Sequence, residues 1–460
     1  MTPSLWRRHA LRLAAYAPVC FLWLGLWAAG PALAVPAFAV QTGQPCQMCH
    51  VGGFGPQLTA YGRKFKLEGY TERTTSFNVP LAAMAVASYV QTRKAQAEPP
   101  AEHFETNRNT TLDEASLFFA GGFGEHVGAF AQVTYDGVDR AWAWDQLDLR
   151  LVTKTQLRDR DLVLGLSLNN NPGVQDPWNT LPAWGFPFTD SALAPSPATA
   201  PLLSGALAQA SLGASAYAWF DSRFYLEAGA YRSPGAKTLN RLGVDPTDPG
   251  DIKGSAPYGR IAWQQQVGET VWEVGAFGFQ AEIHPGRDRD TGLIDRYTDL
   301  GMDASVQAPL SHGDLVTVDA RYVHERQRLA ASCSLALGEP ADADVSRCAR
   351  NSLEDLRLTG SYYWRKKYGL TIGAFDTWGS ENPVLYADNR RFRPDSSGVT
   401  VQVDATPFGG AAQPARRINL RVGVQYTKYF RFDGARRDFD GTGRDAADND
   451  TLRVFTWFAF

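Results

Sequence analysis

The sequence predicts an all-β fold, a transmembrane antiparallel β-barrel of about 16 strands preceded by a small N-terminal α-helical segment. Three observations lead to this fold class. The 460 residues include 43 Gly, 25 Phe, 17 Tyr and 13 Trp, yet the mean hydropathy is only −0.27. Apolar residues alternate with polar ones over many short segments, and long connections largely alternate with short ones. Together these features are typical of bacterial outer-membrane barrels.

The alternation has period two, which is the signature of a half-buried strand. In residues 161–169 every second position is a leucine, from Leu162 to Leu168. Charged residues fall on the opposite face of several segments, namely Asp148, Arg150, Asp319, Arg321 and Arg357. Such charges are costly in a dry core, whereas a water-filled lumen accommodates them. The apolar face, which includes Met302, then turns to lipid.

Counting such segments predicts sixteen strands within residues 79–460. They run near 82–92, 112–124, 127–136, 142–156, 161–169, 206–220, 223–232, 256–267, 270–282, 297–308, 314–327, 353–365, 368–378, 396–406, 417–430 and 450–460. Long loops outside and short turns in the periplasm are the known asymmetry of outer-membrane barrels, so both termini are expected in the periplasm. A soluble β-sandwich is the alternative. The terminal Phe460 resembles the C-terminal signature of outer-membrane barrel proteins.

The first 39 residues read as an export signal, in which basic residues precede an apolar run and then small residues. Cleavage after Ala34 or after Ala39 fits equally well, and an uncleaved membrane anchor is the alternative. The formal net charge is −3 for the full chain, which argues against nucleic acid as a partner because phosphate neutralisation needs a basic surface. Because the chain carries an export signal and the strand pattern of a barrel, the mature protein is expected in the bacterial outer membrane, in contact with lipid.

Residues 40–78 contain the one sharply specific motif. Cys46, Cys49 and His50 form CxxCH, the attachment signature for one covalent haem c. The alternatives are a zinc half-site, a thioredoxin-like redox pair and chance; zinc would need further ligands that are not nearby. A helix is expected from Pro56 to Gly69, with Leu58, Tyr61 and Phe65 on one face.

The remaining ligand and cysteine assignments are less specific. The sequence leaves the sixth iron ligand unknown, because Met84, His103, His126 and His312 qualify by position alone. Cys333 and Cys348 lie in one long outer loop, and export to an oxidising compartment predicts that they form a structural disulfide. Free thiols or metal binding are the alternatives for this pair.

The mature chain resembles the fused monohaem c-type cytochrome–porins of the outer membrane, whose best-known members are iron-oxidising cytochromes. The resemblance rests on CQMCH just after the signal, the following LTAYGRKFKLEGY, the strand pattern and Phe460. It implies an extracellular Fe(II) donor, a periplasmic c-type cytochrome or similar acceptor, and Fe(II):cytochrome c oxidoreductase activity. In that family the two cysteines and the histidine hold the haem, and these map onto Cys46, Cys49 and His50.

Three function classes remain open on the sequence: an electron conduit, a solute porin with a tethered haem plug or sensor, and a haem enzyme such as a peroxidase. No distal acid–base constellation supports the third. The aspartates of residues 438–450 suggest metal capture, with a solvated acidic loop as the alternative. The aromatic, Pro-rich segment that begins at Asn169 suggests a loop folded over or into the pore.

Overall fold

The computed structural model describes residues 37–74, 80–181, 184–338, 344–408 and 418–460. The predicted signal peptide therefore lies outside the described residues except for Ala37–Ala39. The described chain forms one sheet of β1 Leu81–Thr92, β2 Asn109–Gly122, β3 Val127–Asp136, β4 Ala141–Leu157, β5 Arg160–Asn169, β6 Leu212–Phe220, β7 Phe224–Arg232, β8 Asp251–Ile252, β9 Ala256–Val267, β10 Thr270–His284, β11 Asp295–Pro309, β12 Leu315–Leu329, β13 Arg350–Trp364, β14 Tyr368–Gly379, β15 Ser396–Ala405, β16 Asn419–Arg431 and β17 Thr451–Ala459.

This sheet closes into an antiparallel barrel of sixteen strands. Each long strand pairs with its neighbours along the chain, and β1 closes the circle by pairing with β17, from Met84↔Ala459 to Thr92↔Thr451. The two-residue β8 is not counted among the sixteen strands, because it only pairs with the last two residues of β10. The predicted fold class and strand number are confirmed.

Apolar side chains face outward and polar side chains face inward, as predicted. On β5, Leu164 and Leu166 are exposed on the outer surface, whereas Ser167 and Asn169 are buried inside. The charged residues assigned to the lumen lie inside, and Asp148 and Arg150 are fully buried. Met302 is 65% exposed, as expected of a side chain that faces lipid.

The connections differ at the two ends of the barrel. One end carries short turns, such as those at 158–159 and 365–367, and the other carries the long loops 170–211, 233–250, 330–349 and 432–450. Two links depart from this pattern: 137–140 is short at the long-loop end, and 406–418 is long at the short-turn end. Strand β1 begins and strand β17 ends at the short-turn end, where Ala83 and Phe460 exchange backbone hydrogen bonds of 2.7 and 2.8 Å. That end is the periplasmic mouth of an outer-membrane barrel.

The described helices are short. They are α1 Ala37–Thr42, α2 Cys46–Cys49, α3 Ala60–Leu67, α4 Ala236–Arg241 and α5 Ala330–Leu337. Within the described ranges, none is long and apolar enough to cross a membrane. The first three belong to the segment that carries the CxxCH motif.

Candidate haem-binding site

Residues 37–74, which we call the plug, lie inside the periplasmic mouth. Hydrogen bonds tie the plug to strands on opposite sides of the barrel. They include Tyr70 to Asp148 on β4 (2.7 Å), Tyr217 on β6 to the Leu67 carbonyl (2.7 Å), Arg63 to Gln264 on β9 (2.8 Å), Gln307 on β11 to the Leu58 carbonyl (2.9 Å) and Asn419 on β16 to the Gly53 carbonyl (3.0 Å). A segment held from so many sides occupies the cross-section of the mouth.

The first turn of the motif is a short helix. Pro45 precedes α2 with φ near −68°, and the His50 amide donates to the Cys46 carbonyl at 2.8 Å. This turn brings Cys46 and Cys49 close together, and both thiols are free and half-buried. Burial raises the pKa of Cys49 to about 12, so the thiol is protonated in the haem-free chain. Addition across the vinyl groups of a porphyrin requires reduced cysteines, and both cysteines are free of a disulfide here.

Helix α3 packs directly against this turn. It begins at Ala60 behind the cap residue Thr59, whose side chain accepts a hydrogen bond from the Gly62 amide at 3.2 Å. A Cβ atom at Gly62 would overlap the Cys49 carbonyl oxygen, so only glycine permits this close approach. The predicted start at Pro56 is wrong, because Leu58 pairs back with His50 in an isolated bridge and keeps the chain extended.

The burial and the protonation state of the His50 imidazole suit it to bind a metal. Its ring nitrogen Nδ1 is buried and has no hydrogen-bond partner among the described residues. Burial lowers the pKa of His50 to about 4, so the imidazole is neutral at physiological pH. A neutral imidazole is the form that ligates iron.

The motif opens onto an apolar pocket with about 1440 Å³ of space between its atoms, including the open mouth. Phe38, Phe54 and Phe65 of the plug line it together with Met84 and Trp457 of the barrel. The Phe54 and Trp457 rings meet edge to face at 4.6 Å. Apolar walls, two free thiols one turn apart and a buried, unpartnered imidazole nitrogen fit a covalently attached haem.

The position of signal cleavage decides whether Phe38 remains in the mature protein. Its ring packs against Phe65, Tyr70 and Phe130, with centroid distances of 5.0, 5.1 and 6.5 Å. Cleavage after Ala34 keeps this aromatic wall of the pocket, whereas cleavage after Ala39 removes it. Which cleavage occurs stays a prediction.

Of the four candidates for the sixth ligand, one lines the pocket and three do not. Met84 lines the pocket beside Cys46, Cys49 and His50. His103 lies in the outer loop that links β1 and β2. His126 lies in a periplasmic turn and bonds the Val152 carbonyl through Nδ1 (2.9 Å), and His312 lies in another such turn. None of the three histidines lines the pocket.

A long outer loop, residues 170–211, folds into the lumen and meets the plug; we call it the inward loop. Lys66 of the plug donates to the carbonyls of Val174 and Asp176, the latter at 3.2 Å. On the wall, Thr180 bonds Asp303 (2.7 Å) and Gln425 bonds the Thr189 carbonyl (2.9 Å). The prediction that this segment enters the pore is confirmed.

A second cavity, lined by both charged and apolar side chains, lies between the inward loop and the barrel wall. It has about 2060 Å³ of space between atoms and is lined by Asp303, Asp319, Arg321, Arg357 and Arg453 among others. Pro56, Asn179 and Trp184 line both this lumen cavity and the haem pocket. These three residues are therefore the wall between the outer lumen and the site.

Two outer-loop predictions have different outcomes. Cys333 and Cys348 form a disulfide with a Cα–Cα distance of 5.6 Å. The aspartates of residues 438–450 instead hold the outer loops together: Asp445 and Asp448 form a capping box in their own loop, and Asp438 pairs with Arg390 of the 380–395 loop. Within the described residues, no group of three or more His, Cys, Asp or Glu side chains is placed to hold a metal ion.

Sequence reasoning missed the buried cations of the plug. Arg63 and Lys66 are 2% and 7% exposed, although their helix reads as a basic surface helix. Arg63 donates to the Leu58 carbonyl at 2.7 Å as well as to Gln264. No signal in the sequence separates a buried cation from a solvated one, because its partners come from strands and loops remote in the chain.

No protein-family model matches the chain, and no curated protein matches it. Solved structures match at low identity. The chain is similar to Pseudomonas putida OprB at high pH, with 11% identity over 83% of this chain and 93% of that one and a TM-score of 0.47. It is also similar to an anion-selective porin from Comamonas acidovorans, with 12% identity, coverage of 83% and 98%, and a TM-score of 0.44.

A further similarity is to OmpF of Salmonella typhi in complex with daunomycin, with 12% identity, coverage of 84% and 100%, and a TM-score of 0.44. The structural neighbours are outer-membrane β-barrel porins, and these similarities concern the fold alone. The closed sixteen-strand sheet with its lipid-facing apolar belt makes the chain a porin-like barrel of the outer membrane.

Proposed function

We propose that the protein is a one-haem electron-transfer protein of the outer membrane. It takes electrons from an extracellular donor, Fe(II), and passes them to a periplasmic c-type cytochrome or a similar carrier. The observation that carries the proposal is the CxxCH turn facing an apolar pocket in the periplasmic mouth. Cys46 and Cys49 would hold the haem and His50 would ligate its iron; a haem bound there supplies one-electron oxidation and reduction.

The protein contributes position and shielding. The plug is anchored on many strands, so the site is held against the wall rather than suspended on a linker. Phe38, Phe54 and Trp457 exclude water from one side of the pocket. Met48 is 44% exposed, and it lies between the two cysteines. The motif is thus reachable from the periplasm, where an acceptor would dock.

Stopped-flow visible spectroscopy tests this function. Oxidised, haem-loaded protein in detergent is mixed with Fe(II), and the reduced c-type spectrum is expected to appear rapidly. Cys49→Ala and His50→Ala proteins are expected not to give this signal, and Gly235→Ala in an outer loop is a control with open space around the added methyl. A reducible haem that does not react with Fe(II) would remove the iron donor while keeping electron transfer. Wild-type protein that never loads haem would refute the proposal.

A porin with a tethered haem plug is the second candidate function. It is favoured by the lumen cavity, whose lining includes the charged residues Asp303, Asp319, Arg321, Arg357 and Arg453. Such a cavity suits hydrated solutes. This function predicts solute flux into liposomes that does not depend on the redox state of the haem, whereas a closed plug predicts negligible flux through the wild-type barrel.

A further inference from the structure

The geometry points to Met84 as the sixth ligand of the haem iron. This inference rests on the haem attachment proposed above and adds the residue that completes the iron coordination. Met84 is the fourth residue of β1, near the point where the chain leaves the plug and enters the barrel wall. Its side chain is 5% exposed and lines the pocket that Cys46, Cys49 and His50 also line.

The chemistry of the pocket favours this thioether. Among the described residues that line it, Met84 is the one methionine or histidine besides His50. Lys66 and Tyr70 also line the pocket, but Lys66 is held by two backbone carbonyls and Tyr70 donates to Asp148 at 2.7 Å. Methionine paired with histidine is an established ligand set of c-type haems.

The sulfur atom is held in place. Trp457 Nε1 donates a hydrogen bond to Met84 Sδ with a distance of 3.2 Å, and the Trp457 ring is itself fixed by Phe54. Methionine is otherwise flexible, with three rotatable bonds. An indole that fixes the thioether lowers the conformational cost of ligation, because the sulfur is already restrained at the pocket wall.

Ligation by Met84 would also join two parts of the protein. His50 belongs to the plug, whereas Met84 belongs to strand β1, which pairs with β17 and β2. Iron bound by both would therefore fasten the plug to the wall through the cofactor. A packing role for Met84 is the competing explanation, since Phe54, Val86 and Trp457 form an apolar cluster with it.

The test compares haem-loaded wild-type protein with three variants. Met84→Leu keeps the volume and apolar packing but removes the sulfur, Met84→His supplies a different ligand, and Met302→Leu makes the same change on the lipid face. The readouts are the sulfur-to-iron charge-transfer band of the ferric protein, the reduction potential and the rate of cyanide binding.

If Met84 ligates iron, the wild type and Met302→Leu show the charge-transfer band and bind cyanide slowly. Met84→Leu loses the band and binds cyanide at least tenfold faster, and Met84→His stays low-spin but loses the band and has a lower reduction potential, because methionine ligation raises the potential. A Met84→Leu spectrum identical to wild type overturns the inference, as does a wild-type ferric protein without the band. Failure of wild-type protein to load haem refutes the proposed function itself, which is a different result.

Discussion

Whether the plug stays in place and closes the periplasmic mouth can be tested at Gly122. This glycine is the last residue of β2 and lies at that mouth. The Gly122 amide donates to Gln41 at 2.9 Å, and its carbonyl accepts from Arg73, so this strand end contacts both ends of the plug. In Gly122→Ala, the new Cβ would lie 2.6 Å from the Tyr70 carbonyl oxygen and 3.0 Å from the Thr71 Cα. Both atoms belong to the plug backbone, which cannot rotate away as a side chain would.

The size of the effect follows from this geometry. A carbon and a carbonyl oxygen are ordinarily about 3.3 Å apart or more, so the backbone must shift by roughly 0.7 Å. Overpacking of this kind typically costs about 1–3 kcal/mol. Since about 1.4 kcal/mol is tenfold in an equilibrium constant, the displaced plug should become roughly 5- to 150-fold more populated.

Single-channel recording in planar lipid bilayers measures this population. Wild-type protein should be closed for most of the record, and Gly122→Ala should open more often by the factor above. Gly235→Ala is the matched control, because no atom lies within 4 Å of its added Cβ. Equal opening frequencies in all three proteins would refute the reasoning that the plug closes the mouth through this contact.

Three further predictions concern the outer loops and the plug. Cys348→Ser should make the 330–349 loop sensitive to protease, since the chain-entropy model gives the bond with Cys333 about 3 kcal/mol for a loop of this length, while the haem spectrum should not change. Burial lowers the pKa of Lys66 to about 8, so the released plug binds more protons than the seated plug above pH 8. In haem-loaded protein, whose Cys46 and Cys49 would be thioethers that do not titrate, protection of the plug from chymotrypsin should therefore increase between about pH 8 and 10, by up to about 3 kcal/mol, and Lys66→Met should not show this increase. Asp299→Ala removes the carboxyl group that accepts from the Leu203 amide at 2.9 Å; leaving this buried amide without a partner costs about 1–3 kcal/mol and should expose the inward loop to proteolysis in liposomes.

The barrel could be predicted from the sequence because its pattern is local. The leucines at alternate positions of β5 define an outer face whatever strands lie beside it. Errors arose where distant contacts decide the local structure. The sixth strand begins at Leu212 instead of near residue 206, because Leu207 is buried in the cluster that anchors the inward loop.

The candidate haem-binding site was predictable only in part, for a related reason. CxxCH is a contiguous motif, so Cys46, Cys49 and His50 could be named from sequence alone. The choice among Met84, His103, His126 and His312 depends on which strand end meets the plug. That depends on the pairing of β1 with β17, which brings Met84 opposite Ala459. No local pattern encodes a pairing between the two ends of a chain.

The closure of the barrel also explains why the CxxCH motif stands at the start of this chain. Because β1 and β17 pair at the periplasmic mouth, a segment that precedes β1 enters the mouth beside the last strand, and Phe54 there packs on Trp457. The apolar band of such a barrel is about 25 Å tall, so a site at this mouth is far from the outer surface. A donor must then descend into the lumen cavity, to the wall formed by Pro56, Asn179 and Trp184. On the proposed function, a porin-like lumen and a haem-bearing plug are therefore both required: the lumen brings the donor to the site, and the plug holds the site where the acceptor can reach it.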